Sequence, residues 1–324
     1  MKPFIYKTFI FIGISISLIS ITFILTNSLI DINAKFSFKT PVNNVIFGHS
    51  HSECAFNDSL INNFKNLSQS RQSYFYSFQK IKKVISQNND IKNVFVEFTN
   101  NNIGVGMDKW IWDDLSISSR NIYLPFLEKD DINLLVSKNS KSFITGSSKS
   151  FRNNLMNLLL FNYDYTNKIG GYQWLKRDKT DSLIINFKKD TIHFSRKKRN
   201  LSIKNIEYLE KIVNFCQEND VNIYLVRSPQ HKYYNRNNEK EFIKIWNKKF
   251  KDIDFLDFNN FPLNNEEFGD FGHLNYKGAK IFSLWFNELL EKGLLSMENK
   301  SEFIISEIEQ ARTHNKVYKS LVNK

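Results

Sequence analysis

The chain has 324 residues, 41% of them hydrophobic, which suits one terminal segment followed by a globular domain that buries its core without disulfide staples. Its net charge is +12, but the lysines are spread along the sequence. Because no zinc-finger, basic-zipper or RNA-recognition motif accompanies this charge, we expect no nucleic-acid partner.

The N-terminus contains a membrane-spanning candidate. Residues 8–25 (TFIFIGISISLISITFIL) carry no charge, and with their uncharged flank they are long enough to cross a bilayer. Lys2 and Lys7 precede this run and Asp31 is the first charge after it, so the positive-inside tendency predicts a cytoplasmic N-terminus and an extracytoplasmic (periplasmic) globular domain. A signal peptide cleaved near Thr26-Asn27-Ser28 is the alternative to a retained anchor.

Beyond the anchor, strand-like and helix-like patterns alternate. The strands are continuous apolar runs, which indicates a parallel sheet covered by helices on both faces. The predicted strands are 44–47, 93–98, 221–226 and 254–258, and the predicted helices are 58–64, 71–86, 203–219, 242–250, 277–290 and 302–321. The predicted organisation is a cytoplasmic tip and anchor (1–27), a tether (28–41), an α/β domain (42–295) with an insertion at about 103–200, and a C-terminal helix (296–324).

The region 103–200 has irregular periodicity and is interpreted as an insertion or cap over the site. It contains the densest basic run, Arg196-Lys197-Lys198-Arg199. A solvated loop is the first interpretation of this run, and attraction to acidic glycans or anionic lipid is the alternative. Cys54 and Cys216 are interpreted as buried thiols rather than a bridge.

Two short segments far apart in sequence carry the candidate chemistry. Ser50 directly follows the first strand, and Asp270 and His273 stand three residues apart before a helix. Ligands of parallel sheets bind at the carboxyl ends of the strands, where both segments are expected. A serine there can act as a nucleophile if His273 takes its proton and Asp270 orients the imidazole, with the Ser50 N–H facing the oxyanion. The alternatives are an ordinary turn at Ser50 and capping of the following helix by Asp270.

Four sequence blocks resemble the SGNH (GDSL-type) hydrolase superfamily. They are VIFGHSHSE, NLSQSRQSYFYSF, VFVEFTNNN and DFGHLNYKGA. The likeness is to its membrane-anchored extracytoplasmic branch, which includes alginate O-acetylation and lipoteichoic acid D-alanylation proteins. The resemblance implies a flavodoxin-like three-layer α/β/α sandwich in which Ser50 is the nucleophile and Asp270 and His273 complete the triad.

The blocks also depart from the family pattern. His49 stands where the family usually has Asp, the second block lacks its glycine, and the third lacks Gly-x-Asn-Asp. An oxyanion donor in the second block would therefore be a backbone N–H near Ser68 or Gln69, and in the third block a side-chain amide of Asn100 or Asn101.

His49 and His51 allow a second chemistry. A His-x-His pair after a first strand also occurs in metal-dependent hydrolases. The further candidate ligands are His231, His273, Asp270 and Glu53. We instead expect His49 and His51 to line the pocket or hold the serine loop, with no metal and no cofactor.

The sequence thus predicts a serine-dependent acyl ester hydrolase or O-acyltransferase of cell-envelope polysaccharide. Its expected partners are an acylated glycan, the membrane and a membrane-bound acyltransferase. The competing hypotheses are a catalytically degenerate protein that binds glycan or scaffolds such an acyltransferase, and the metal-dependent hydrolase.

Overall fold

A computed structural model describes residues 2–189 and 200–322. The basic run 196–199 lies outside the described residues. The chain divides into two compact units, one formed by Met1–Phe36 and Trp112–Lys168, the other by Ser37–Ile111 and Ile169–Lys324.

The second unit contains a five-stranded, all-parallel sheet with the order β2-β1-β3-β4-β5. This is the strand order of flavodoxin-like doubly wound folds, so the predicted fold class is confirmed. The strands are β1 (Asn44–Phe47), β2 (Phe64–Asn66), β3 (Asn93–Glu97), β4 (Asn222–Arg227) and β5 (Phe255–Asp257).

Five of the six helices predicted after the anchor are present, with ends that differ by a few residues. The helix expected at 71–86 starts at Tyr74, and the helix expected at 242–250 starts at Glu239. Four helices were not predicted: one at 50–55, and three at 117–123, 129–159 and 180–189 within the region of irregular periodicity. The α-helices in the described residues are α1 (Lys2–Asn33), α2 (Ser50–Ala55), α3 (Tyr74–Ser86), α4 (Ile117–Tyr123), α5 (Lys129–Leu159), α6 (Thr180–Lys189), α7 (Ile203–Glu218), α8 (Glu239–Lys249), α9 (Tyr276–Glu291) and α10 (Lys300–Val322).

Helices cover both faces of the sheet. Ile46, Phe95 and Tyr224 project from one face into a core shared with α9 and α10, where Phe286 packs edge-on against Phe95. Successive strand residues point to opposite faces, and Phe47 accordingly lies beneath α3. Burial of each such large side chain contributes roughly 1.5–3 kcal/mol, which explains why the strands are apolar throughout.

The prediction of a helix at 58–64 is wrong. Only Asp58–Leu60 forms a single 3₁₀ turn, capped by the side chain of Asn57, and β2 begins at Phe64. Asn63 has φ 52°, a left-handed conformation that asparagine tolerates, and its carbonyl accepts a hydrogen bond from Asn44 N. The turn therefore feeds an edge strand that pairs with β1.

In the first unit, α1 is long and apolar enough to span a membrane. The hydroxyls of Thr8, Ser17 and Thr22 donate to carbonyls four residues earlier, so these polar groups are satisfied within the helix. The helix continues to Asn33, and residues 28–33, expected in the tether, are therefore helical. Its C-terminal half packs on α5, with the rings of Phe23 and Phe151 5.9 Å apart.

Gly48, the residue after β1, allows Glu97 to approach the backbone. A Cβ at position 48 would lie 2.5 Å from Glu97 Cβ and 2.7 Å from its Oε2. We expect Gly48→Ala to lower the free energy of unfolding by about 1–3 kcal/mol through overpacking, measured by denaturant unfolding of the full chain in nanodiscs. Gly106→Ala is the matched control, because nothing lies within 4 Å of an added Cβ there. Equal stability of the two variants would contradict the prediction.

Candidate active site

The loop that carries Ser50 turns from the carboxyl end of β1 directly into α2. Ser50 is the first residue of α2 and His49 is its N-cap. The side chain of His49 accepts a hydrogen bond from the N–H of His51 at its Nδ1 (3.4 Å). β1 ends at Phe47, and only Gly48 and His49 separate it from Ser50, so the serine stands at the carboxyl edge of the sheet.

Glu97, the last residue of β3, fixes this loop from beneath. It is fully buried, and its Oε2 accepts from His49 N (3.1 Å), Ser52 N (3.0 Å) and Ser52 Oγ (2.7 Å). Its other oxygen, Oε1, lies 3.0 Å from His49 Nε2. Hydrogen bonds to a charged acceptor are stronger than neutral ones, so the carboxylate holds the ends of β1 and β3 together.

The backbone N–H of Ser50 remains available. Glu97 accepts hydrogen bonds from the N–H groups of residues 49 and 52, and the His49 side chain accepts from that of residue 51. The N–H of Ser50 has no acceptor within the described residues. An N–H in the first turn of a helix has no intrahelical acceptor. It can therefore stabilise an oxyanion formed beside Ser50 Oγ.

Asp270 and His273 belong to a tight turn before α9. Asp270 Oδ1 accepts from the N–H groups of Gly272 (2.8 Å) and His273 (3.0 Å), which closes the turn on the aspartate side chain. Asn275, not Asp270, caps α9 by accepting from Lys277 N and Gly278 N. The alternative in which Asp270 is the helix cap is therefore wrong.

Asp270, His273 and Ser50 form a continuous hydrogen-bonded chain. His273 Nδ1 lies 2.8 Å from Asp270 Oδ1, and His273 Nε2 lies 2.7 Å from Ser50 Oγ. An ionised carboxylate can only accept, so Nδ1 carries the ring proton and the lone pair of Nε2 faces the serine. The Ser50 hydroxyl then donates to Nε2, the geometry required of a general base.

Asp270 is held in its ionised form. Burial raises the pKa of its carboxyl, but the hydrogen bond and charge of His273, the N–H of Gly272 and the charge of Arg177 outweigh burial and lower the pKa overall. Arg177 forms an ion pair with Oδ2, the oxygen that His273 does not use. Both oxygens of Asp270 are thus engaged, and its orientation is fixed.

His49 and His51 line the same cavity as Ser50, as the sequence predicts. Burial lowers the pKa of His49 despite the nearby charge of Glu97, and burial together with the charges of His49 and His273 lowers the pKa of His51 well below 6.5. Both imidazoles are therefore neutral near pH 7. The ring of His51 packs edge-on against His273, with centroids 5.0 Å apart, and so restricts the general base sterically.

The proposed metal ligands only partly converge. The ligand atoms of His49, His51 and Glu97 lie within 4.8 Å of one another, a grouping that can hold a cation. His231 instead lines a separate cavity, where its Nε2 lies 3.1 Å from Asn265 Oδ1. Glu53 accepts a hydrogen bond from the hydroxyl of Ser70.

The expected oxyanion donors differ in their placement. The N–H of Ser68 donates to Asn66 Oδ1 (2.9 Å) and that of Gln69 to Gly48 O (3.0 Å), so neither of these two N–H groups is left for an oxyanion. Asn100 does line the Ser50 cavity, with one amide hydrogen donated to Asn235 O (3.1 Å). Asn101 also lines the cavity, and its amide donates to the hydroxyl of Tyr234.

The two cysteines are free and buried, as the sequence predicts. Burial raises the pKa of both thiols to about 12. Cys54 follows the serine loop, but a buried protonated thiol is unreactive, so Ser50 is the nucleophile candidate of this loop.

Sequence reasoning missed Glu97 and Arg177. Glu97 had a signal, since a single charge inside the apolar strand NVFVE is expensive to bury unless it has a partner. Arg177 had none, because it lies in the irregular connection after the first unit, and only the folded chain shows that it pairs with Asp270.

The buried neutral histidines predict a pH-dependent stability. The folded-state pKa of His51 lies below 6.5, so below that pH the unfolded chain binds more protons than the folded one and the free energy of unfolding falls as pH drops. The slope is up to about 1.4 kcal/mol per pH unit for one group. We expect His51→Asn to give a shallower decline between pH 7.5 and 5 in thermal unfolding. Parallel profiles for variant and wild type would contradict this.

Comparison with known proteins gives little beyond the structure. A family model without a described function matches residues 147–295, less than half of the chain. No curated protein matches the chain. The matched region contains Asp270 and His273 but not Ser50, so the function is argued from the geometry of the site.

Proposed function

We propose that the chain is a serine-dependent acyl ester hydrolase or O-acyltransferase that acts on cell-envelope polysaccharide. The observation that carries the proposal is the hydrogen-bonded chain from Asp270 through His273 to Ser50, with distances of 2.8 and 2.7 Å. It lies at the carboxyl edge of a parallel sheet and opens into a cavity of about 360 Å³, which is in the size range of small-ligand sites.

In the acylation half-reaction, Ser50 Oγ attacks the carbonyl carbon of an acyl ester while His273 Nε2 takes the hydroxyl proton. The resulting imidazolium is stabilised by Asp270, and the Ser50 N–H donates to the oxyanion. Collapse of the tetrahedral intermediate breaks the ester C–O bond, and His273 returns the proton to the leaving alcohol. The acyl group is then an ester of Ser50.

In the second half-reaction, His273 removes a proton from the incoming nucleophile. Attack by water releases a carboxylic acid, and attack by a sugar hydroxyl gives a new sugar ester. Both routes regenerate the Ser50 hydroxyl with the proton held by His273. Water and glycan therefore compete for one acyl-enzyme.

The long apolar helix α1 supports a location at the cell envelope. Lys2 and Lys7 precede its apolar run and Asp31 follows it, a charge distribution that favours a cytoplasmic N-terminus and an extracytoplasmic globular unit. Such a protein would meet acylated glycans, and a membrane-bound acyltransferase would be a partner that supplies the acyl group.

The proposal predicts covalent labelling at one residue. We expect a fluorophosphonate probe to phosphonylate Ser50 Oγ of the full chain in nanodiscs with loss of fluoride. Because Ser50 is the hydroxyl that contacts His273 Nε2 in the described part of the chain, Ser50→Ala should abolish labelling and His273→Ala should reduce it by at least 100-fold, as expected when a general base is lost. Labelling is read by gel fluorescence and by mass spectrometry of the labelled peptide, with p-nitrophenyl acetate turnover in parallel.

Ser59→Ala is the matched control, because Ser59 is exposed and its hydroxyl donates to Asn57 Oδ1. It should label as the wild type does. A folded wild type that is neither labelled nor active on acyl esters, yet binds glycan, would favour the alternative of a degenerate scaffold. Labelling that persists in Ser50→Ala would overturn the assignment.

The cluster of His49, His51 and Glu97 is the observation that favours the metal-dependent alternative. We place it second because His49 Nδ1 accepts from His51 N, which leaves the ring proton on Nε2, facing Glu97 Oε1. A cation at Nε2 would displace that proton to Nδ1 and break the cap of α2. The hydrogen bonds of Glu97 Oε2 to the serine loop require no cation.

The two alternatives respond differently to chelation. If Ser50 is activated by His273 alone, incubation with EDTA or 1,10-phenanthroline should leave labelling and p-nitrophenyl acetate turnover unchanged. The purified protein should contain well below one equivalent of zinc by elemental analysis. Loss of turnover with a chelator and its recovery with zinc would favour the metal-dependent hydrolase.

A further inference from the structure

The cavity beside Ser50 has an unbalanced charge. Its walls are formed largely by side-chain amides, by Trp110 and by the catalytic candidates, and among residues 2–189 and 200–322 no Asp or Glu lines it. In the same part of the chain, Arg71 is the only Lys or Arg that lines it. A cationic side chain at the rim of an otherwise neutral polar cavity provides a site for an anion.

Arg71 differs from the other arginines described in the second unit. Those arginines are held by acceptors of the protein: Arg177 by Asp270, Arg227 by Asp257 and Glu239, Arg236 by Asn259, and Arg312 by Glu309. Within residues 2–189 and 200–322, no ion pair involves Arg71. Its charge is therefore free for a ligand.

The fold holds Arg71 in place. Its φ of 65° lies in the left-handed region, which is costly for a side chain with a Cβ and is retained when the surroundings impose it. The next residue, Gln72, is buried, and its N–H donates to Gln69 O (3.2 Å). The backbone at position 71 is thus fixed on both sides of the side chain.

Trp110 supports the guanidinium. The carbon atom of the Arg71 guanidinium lies 5.7 Å from the Trp110 ring centroid, within the range of a cation–π contact. The segment of Trp110 is itself anchored, since Ser73 Oγ donates to Trp110 O (3.2 Å) and Tyr76 Oη to Ile111 O (2.9 Å). A contact with the ring face uses none of the guanidinium N–H donors, so they can bind a carboxylate or phosphate in bidentate fashion.

We infer that Arg71 and Trp110 form an anion subsite for the polysaccharide, so that the substrate carries a carboxylate or a phosphodiester close to its acyl ester. This inference rests on the proposed function for the identity of the ester but not for the binding of the anion. Asn100, Asn101 and Asn238 line the same cavity, and their side-chain amides can bind sugar hydroxyls.

The binding experiment uses the full chain in phosphatidylcholine nanodiscs and isothermal titration calorimetry. The probes are a tetra-uronate, a tetrameric glycerol phosphate and a neutral oligosaccharide of equal length. We expect at least one anionic probe to bind roughly tenfold or more tightly than the neutral one, with affinity that falls as sodium chloride is raised. Which anionic probe binds more tightly distinguishes a uronate from a phosphate-bearing glycan.

Three variants separate a subsite from general attraction to a basic protein. Arg71→Gln should remove the preference, and Arg71→Lys should restore only part of it, because an ammonium lacks the guanidinium fork. Lys109→Gln removes one charge from an exposed residue in the same 3₁₀ segment as Trp110. This variant should leave the preference for anionic probes intact. Similar losses in Arg71→Gln and Lys109→Gln would overturn the inference.

The inference is also overturned if the neutral oligosaccharide binds wild type as tightly as both anionic probes, or if no probe binds at millimolar concentration. Fluorophosphonate labelling of the same preparations reports on the proposed function separately. A protein that binds anionic probes through Arg71 but is not labelled keeps the subsite and loses the acyl-transfer proposal. A protein that is labelled but has no preference for anionic probes keeps the acyl-transfer proposal and loses the subsite.

Discussion

The buried carboxylate of Glu97 is the interaction on which the site depends. Removing a carboxylate from water costs several kcal/mol unless hydrogen bonds replace its hydration. Here the replacement comes from the loop after β1, through His49 N, Ser52 N and Ser52 Oγ. The stabilisation is reciprocal, because the same hydrogen bonds hold the loop in the conformation in which Ser50 Oγ contacts His273 Nε2.

Two features of the sequence make this arrangement possible. Position 48 must lack a Cβ, since any side chain would overlap Glu97. β1 and β3 must also be adjacent and parallel, with Phe47 paired to Val96, so that the residue after one strand lies beside the last residue of the other. The flavodoxin-like strand order provides that adjacency although some forty residues separate the two strands in sequence.

The sheet and the triad partners were predictable because their signals are local. Short apolar runs that end at Gly48 and at Thr99 mark strand ends, and an Asp and a His three residues apart before an amphipathic helix mark a turn. The assignments that fail concern short irregular segments. β2 has three residues and is too short to show a period, and the N–H of Ser68 is used by a local turn in which Asn66 Oδ1 accepts from it, which an apolar pattern does not indicate.

The groups around His273 determine how well a positive charge on its ring is stabilised. In the proposed mechanism, proton transfer from Ser50 creates an imidazolium beside His51, whose ring centroid is 5.0 Å from that of His273. Burial lowers the pKa of His51, so its ring is uncharged and does not oppose that cation.

Asp270 provides the balancing negative charge, and Arg177 has two opposed effects on this carboxylate. The positive charge of Arg177 helps to keep the Asp270 carboxylate ionised, but it also offsets part of the negative charge that would stabilise the His273 imidazolium. Because Arg177 pairs with Oδ2 while His273 uses Oδ1, the arrangement favours fixed orientation over maximal basicity. That balance suits a base that must return its proton to a leaving alcohol in the same catalytic cycle.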